Sequence, residues 1–187
     1  RKESSAASDV YKRQLLWRGS DLVAWWRAPA ALTLDGHALH LGTRTVPYTD
    51  IASMRHLHNR DHLLLTLHSG ERIRLRLAIW QDAYALAEHL EDAVGGNLEA
   101  DTRRQLQAGA TVAFGPLGMN AAGLVHKGQQ IPWTAIDTIR TQSDSEDMET
   151  DETLIIVAQG KTHKIDRSKI VNESVMLACL RQYLPGA

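Results

Sequence analysis

The sequence predicts an α+β protein, mainly β with α: two tandem small β-barrels, each capped by a C-terminal helix. Three observations predict it. Val46-Pro47-Tyr48-Thr49-Asp50-Ile51 returns 85 positions later as Ile131-Pro132-Trp133-Thr134-Ala135-Ile136, and an internal repeat fixes an architecture ahead of local propensity. Apolar residues alternate at strand period around both copies. Each copy then ends in an apolar stripe at helical spacing. The expected units are residues 15–96 and 109–187, joined by a linker helix over 97–108.

In the first copy, Leu32 to Leu34, the turn Asp35-Gly36 and Ala38 to Leu41 make two short strands upstream of the motif. Leu63, Leu65 and Leu67 alternate with other residues, Ser69-Gly70 turns the chain, and Ile73, Leu75 and Leu77 alternate with Arg72, Arg74 and Arg76. That is a hairpin with one buried face. Ala83, Leu86, Ala87, Leu90 and Val94 stripe a helix, which Gly95-Gly96 is expected to stop. Asn97 to Gln107 reads as a short charged helix broken by Gly109.

The second copy repeats the order. Thr111 to Phe114, Gly118 to Asn120 and Leu124 to His126 are strands, with Ala122-Gly123 as a turn. Leu154 to Ala158 pairs with Lys161 to Asp166 across Gln159-Gly160, and Asn172 is expected as the N-cap of a last helix ending before Pro185. Val175, Met176, Cys179, Leu180, Tyr183 and Leu184 form its stripe.

Phe114-Gly115-Pro116-Leu117, Ala122-Gly123-Leu124, Ile131-Pro132-Trp133-Thr134-Ala135-Ile136 and Ile170-Val171-Asn172 occur in that order. The series resembles an uncharacterised bacterial family of pleckstrin-homology-like (PH-like) proteins. It covers residues 109 to 184 well and the first copy weakly. The resemblance implies two tandem PH-like barrels and carries no activity or catalytic residues. Pro47 and Pro132 suit strand ends, since proline fixes φ and removes a donor. Tyr48 and Trp133 are expected as equivalent buried plugs, followed by Ile51 and Ile136.

Composition narrows the function. The 187 residues are 43% apolar and 23% charged, with net charge -1 and mean hydropathy -0.29, as in ordinary globular proteins. No apolar run approaches the roughly 18 residues of a membrane-crossing helix. One cysteine, Cys179, excludes an intramolecular disulfide framework. The charge balance argues against a nucleic-acid partner. Ser4 to Gln14 resembles the translation of a sequencing adapter, so residues 1–14 are expected to be non-native and disordered, with the native chain starting near Leu15. Trp17, Trp25 and Trp26 suit a first strand or an aromatic belt after an upstream anchor.

Three features are candidate sites. Arg72, Arg74 and Arg76 share one strand face, which reads as a solvated row, balanced by Glu71 and Asp61, or as an anionic-lipid or small-anion surface. His56 and His58 read as solvent-facing, with a metal chelate completed by His62 or Asp61 as the lesser alternative. Asp144, Glu146, Asp147, Glu149, Asp151 and Glu152 read as an open acidic loop at the place where the first copy carries His56 to His62. No nucleophile elbow, phosphate loop or dinucleotide fingerprint is present. The expected function is a non-enzymatic tandem interaction or scaffold module without cofactor or metal. It would be cytoplasmic or membrane-associated through a segment upstream of Leu15, with a protein partner or a membrane surface. An anion binder using Arg72, Arg74 and Arg76, and a hydrolase with a convergent site, are the alternatives.

Overall fold

The computed structural model describes residues 31–57, 62–80, 83–146 and 149–184. The expectations for residues 1–14, Trp17, Trp25, Trp26, His58, Asp61 and Asp147 lie outside them. The chain is α+β; among the described residues there are four antiparallel sheets and two helices, and no sheet closes into a barrel. In the first repeat, β1 (Leu32–Leu34), β2 (Ala38–Leu41) and β3 (Arg44–Pro47) form one sheet, and β4 (Ile51–Leu57), β5 (His62–Leu67) and β6 (Arg72–Arg76) another. The helix α1 (Ala83–Gln107) follows.

The second repeat places β7 (Val112–Phe114), β8 (Leu117–Asn120), β9 (Gly123–His126) and β10 (Gln129–Pro132) in one sheet, and β11 (Ile136–Glu146), β12 (Glu149–Ala158) and β13 (Lys161–Asp166) in the other. The helix α2 (Glu173–Tyr183) closes it. Each repeat has its own core. Leu39, Ile51, Leu63, Leu65 and Leu90 are among the buried residues of the first, and Phe114, Met119, Leu124, Ile156 and Met176 among those of the second.

The repeat holds in detail. Pro47 and Pro132 each precede a one-turn 3-10 helix with φ -58 and -59. Tyr48 N–H donates to His37 O and Trp133 N–H to Ala122 O. Each turn leads into a strand whose register slips once, between Ile51 and Ser53 and between Ile136 and Thr138. Asp35 and Asn120, again 85 apart, each accept two backbone N–H bonds on Oδ1, from His37 and Ala38 and from Ala122 and Gly123. The plugs themselves differ. Tyr48 is buried and its hydroxyl donates to Asp35 O, whereas Trp133 is half-buried, stacks on Tyr183 and donates Nε1–H to Ala121 O. Ile51 is likewise buried and Ile136 only half-buried.

Gly95-Gly96 does not stop the helix. The 25-residue α1 runs through both glycines and takes in the expected linker. Packing overrides the local preference: Val94 is buried in the first core, Leu106 in the second, and Leu98 packs against both. The pairs Glu99–Arg103 and Asp101–Arg104 brace the second half at helical spacing. A Cβ added at either glycine would meet nothing within 4 Å. Gly95→Ala and Gly96→Ala are therefore expected to raise stability by about 1 kcal/mol each, the helical penalty of glycine, measured by urea denaturation. A loss of stability would show that the helix bends there.

The acidic segment is also not an open loop. Asp144 to Glu146 and Glu149 to Glu152 continue the β11–β12 ladder, with Asp144 opposite Asp151 and Glu146 opposite Glu149. The ladder's backbone bonds outweigh the like-charge repulsion of a pair. Among the described residues no helix is long and apolar enough to cross a membrane.

Candidate functional site

Strand alternation decides which side chains the β4–β6 sheet presents. Ile73 and Leu75 are buried, while Arg72 and Arg74 are exposed and Arg76 half-buried on the other face. Register sets that face as three rows: Ser53–Thr66–Arg72, Arg55–Leu64–Arg74 and Leu57–His62–Arg76. Four guanidinium groups and one imidazole thus share one side of a three-stranded sheet. Arg55 joins the row from β4, a membership visible only once register is known. Its Nε is buried with no hydrogen-bond partner.

Glu71, expected to balance the row, is engaged elsewhere. Arg44 donates two bonds to it, at 2.6 and 2.7 Å, and holds its carboxyl below the usual value. Among the described residues Arg72 and Arg74 form no ion pair. Among the described residues the face thus presents Arg72 and Arg74 unpaired, with half-buried Leu64 and Leu57 beside them.

His56 does not face solvent with the arginines. It lies opposite the buried Leu63, on the core side of β4, and its Nδ1 is 4.0 Å from Glu91 of α1. His62 belongs to the opposite, arginine-bearing face. The two imidazoles therefore cannot converge on one metal ion. Among the described residues no group of three or more metal-ligating side chains forms. Glu149 lies on β12 near the hairpin end, far along the chain from either face.

Asn172 also has a different role. It stands at the N-terminus of α2 in a left-handed conformation (φ 53), yet its side chain caps nothing in the helix. Instead Met54 N–H donates to its Oδ1 and its own N–H donates to Met54 O, both at 2.7 Å. Met54 lies on β4, an edge strand. Asn172 therefore supplies the pair of bonds that a neighbouring strand would have made, and so closes an edge open to other chains. Arg167 reinforces this joint from the turn before α2. It donates to Glu173 and Glu152, and although burial opposes its charge, these pairs and Glu91 raise its pKa. Glu152 is thus a structural partner and not part of a free acidic tip.

A second cationic feature lies in the second repeat. His126, Lys127 and Gln129 at the β9–β10 turn, with Thr162, His163 and Lys164 on β13, line a cleft of about 420 Å³. His126 is buried, its Nδ1 3.4 Å from Nδ1 of His163. Burial, then the charge of Lys127 and the neighbouring His163, push its pKa below the usual value. These residues come from places 37 positions apart and carry no sequence motif, so only folding unites them.

In the first repeat, His40 Nε2 bonds Asp35 Oδ2 at 2.7 Å. That bond and the amides of His37 and Ala38 lower the Asp35 pKa to about 2. A depressed carboxylate stabilises the fold above its unfolded value near 4 and loses that contribution as pH falls toward 2. Asp35→Asn should flatten the acid limb of the stability curve in that window, read by circular dichroism melts; an unchanged limb would remove Asp35 from the acid transition.

No protein-family model matches the chain, and neither a curated protein nor a solved structure matches it.

Proposed function

We propose that the protein is a non-enzymatic interaction module of two PH-like repeats that docks on an anionic membrane surface through the solvent face of β4–β6. The observation that carries this reading is the row of Arg55, Arg72, Arg74 and Arg76 on one sheet face, with Glu71 taken by Arg44. Cations around half-buried leucines suit a surface that is acidic outside and apolar beneath. The PH-like architecture is supported by the second repeat's order of four strands, three strands and a helix, and by the first repeat's three, three and a helix. Such a module would work at the cytoplasmic face of a membrane.

Near an acidic bilayer each arginine contributes about 1 kcal/mol, so removing three should weaken binding roughly a hundredfold. Co-sedimentation with anionic and neutral vesicles, using the parent and an Arg72→Ala, Arg74→Ala, Arg76→Ala variant, tests this. Expected are binding to anionic vesicles alone, attenuation by salt and loss in the folded variant. Absence of binding by the folded parent overturns the membrane reading and leaves an acidic protein as the partner to seek.

A further inference from the structure

The cleft between the β9–β10 turn and β13 lies in the second repeat and shares no residue with the arginine face. Its six lining residues, His126, Lys127, Gln129, Thr162, His163 and Lys164, include no carboxylate, and every one of them can donate a hydrogen bond. Two lysines beside two imidazoles repel a metal cation, whose usual ligand sets bring thiolates or carboxylates to such a pair. The same set attracts an oxyanion, which needs several donors converging on one volume.

The backbone points the same way. Lys127 sits at φ 51 in the two-residue turn Lys127-Gly128, a left-handed position where asparagine or glycine is ordinarily found. A lysine held there is conformationally strained, and it lines the cleft. His126 is buried, with its Nδ1 turned to His163. The cleft volume of about 420 Å³ is at the small end of ligand sites. It suits a phosphate group with a short attachment.

We propose that this cleft binds a phosphate monoester group, with His126, His163, Thr162 and Gln129 as hydrogen-bond donors and Lys127 and Lys164 as the charges that neutralise it. The group can belong to a free solute or to a lipid headgroup, and the chemistry of recognition is the same.

The test follows the imidazole resonances of His126 and His163 by NMR in the full chain. The probes are inorganic phosphate, glycerol 3-phosphate and, separately, phosphatidylcholine vesicles with and without phosphatidic acid. Expected are saturable shifts of both imidazoles at or below about 10 mM solute. Lys127→Asn, which tolerates the left-handed backbone, and Lys164→Ala should each weaken binding about tenfold without lowering the melt. A response to phosphatidic acid alone, lost in the two lysine variants but kept in the Arg72, Arg74, Arg76 triple variant, identifies the headgroup as the source. No saturable shift with any probe overturns the proposal, as do shifts that the lysine variants leave intact. A vesicle response lost only in the arginine variant, with no saturable shift from either free solute, also overturns it, by assigning that response to the first repeat. The failure of either site leaves the other standing.

Discussion

Gly115→Ala is expected to be severely damaging to the second repeat, lowering stability by about 4 kcal/mol or more. Gly115 has φ 75, and a Cβ placed on it would lie 2.1 Å from Lys169 O, a backbone atom that cannot step aside. The segment it would displace, Lys169–Ile170, leads directly into Asn172 and α2. Gly160→Ala is the control. Gly160 shares the left-handed conformation (φ 72) but nothing lies within 4 Å of its added Cβ, so only the conformational penalty of about 1 to 2 kcal/mol applies. Urea denaturation of both variants separates collision from strain. Equal losses would show that the Phe114–Leu117 turn does not press on Lys169.

A second large effect falls on Asn172. Asn172→Ala removes the acceptor of the buried Met54 N–H, at about 1 to 3 kcal/mol, and also places alanine at φ 53, adding about 1 to 2. Asn172→Gly keeps the backbone conformation and loses only the bond, so it should fall between parent and alanine. Asn172→Asp keeps an acceptor and should stay closest to the parent. Denaturation midpoints order the four proteins. If glycine matches the parent, the bond to Met54 contributes nothing and the joint rests on helix packing alone.

Much of this architecture is legible in the sequence because repeats and alternation are local signals. Pro47-Tyr48 and Pro132-Trp133 announce equivalent turns, and Arg72, Arg74 and Arg76 announce an outward strand face, since both depend on neighbours two or three residues away. What stays hidden depends on distant partners. Gly95-Gly96 reads as a stop until Val94, Leu98 and Leu106 are seen to bury themselves on either side of it. Asn172 has the residue type of a helix cap, but its bonds go to a strand 118 positions away. The Asp35 and Asn120 equivalence is masked by a change of residue, although both offer the same oxygen to the same two amides. Glu152 and the other acids look like one loop in sequence, whereas register spreads them along a ladder and turns Glu152 toward Arg167. The candidate sites divide in the same way. The arginine row was readable from period two, but Arg55 required register, and the His126–His163 cleft required the tertiary fold.

These joints make the two repeats one body. The continuous α1 enters both cores, and Asn172 closes the edge of β4. The arginine face and the phosphate cleft are then carried at fixed positions on a single scaffold. Differential scanning calorimetry of the full chain tests this most directly. One transition, with calorimetric and van't Hoff enthalpies in agreement, is the predicted result. Two separable transitions, with Asn172→Gly shifting neither toward the other, would contradict it and return the chain to two independent domains on a tether.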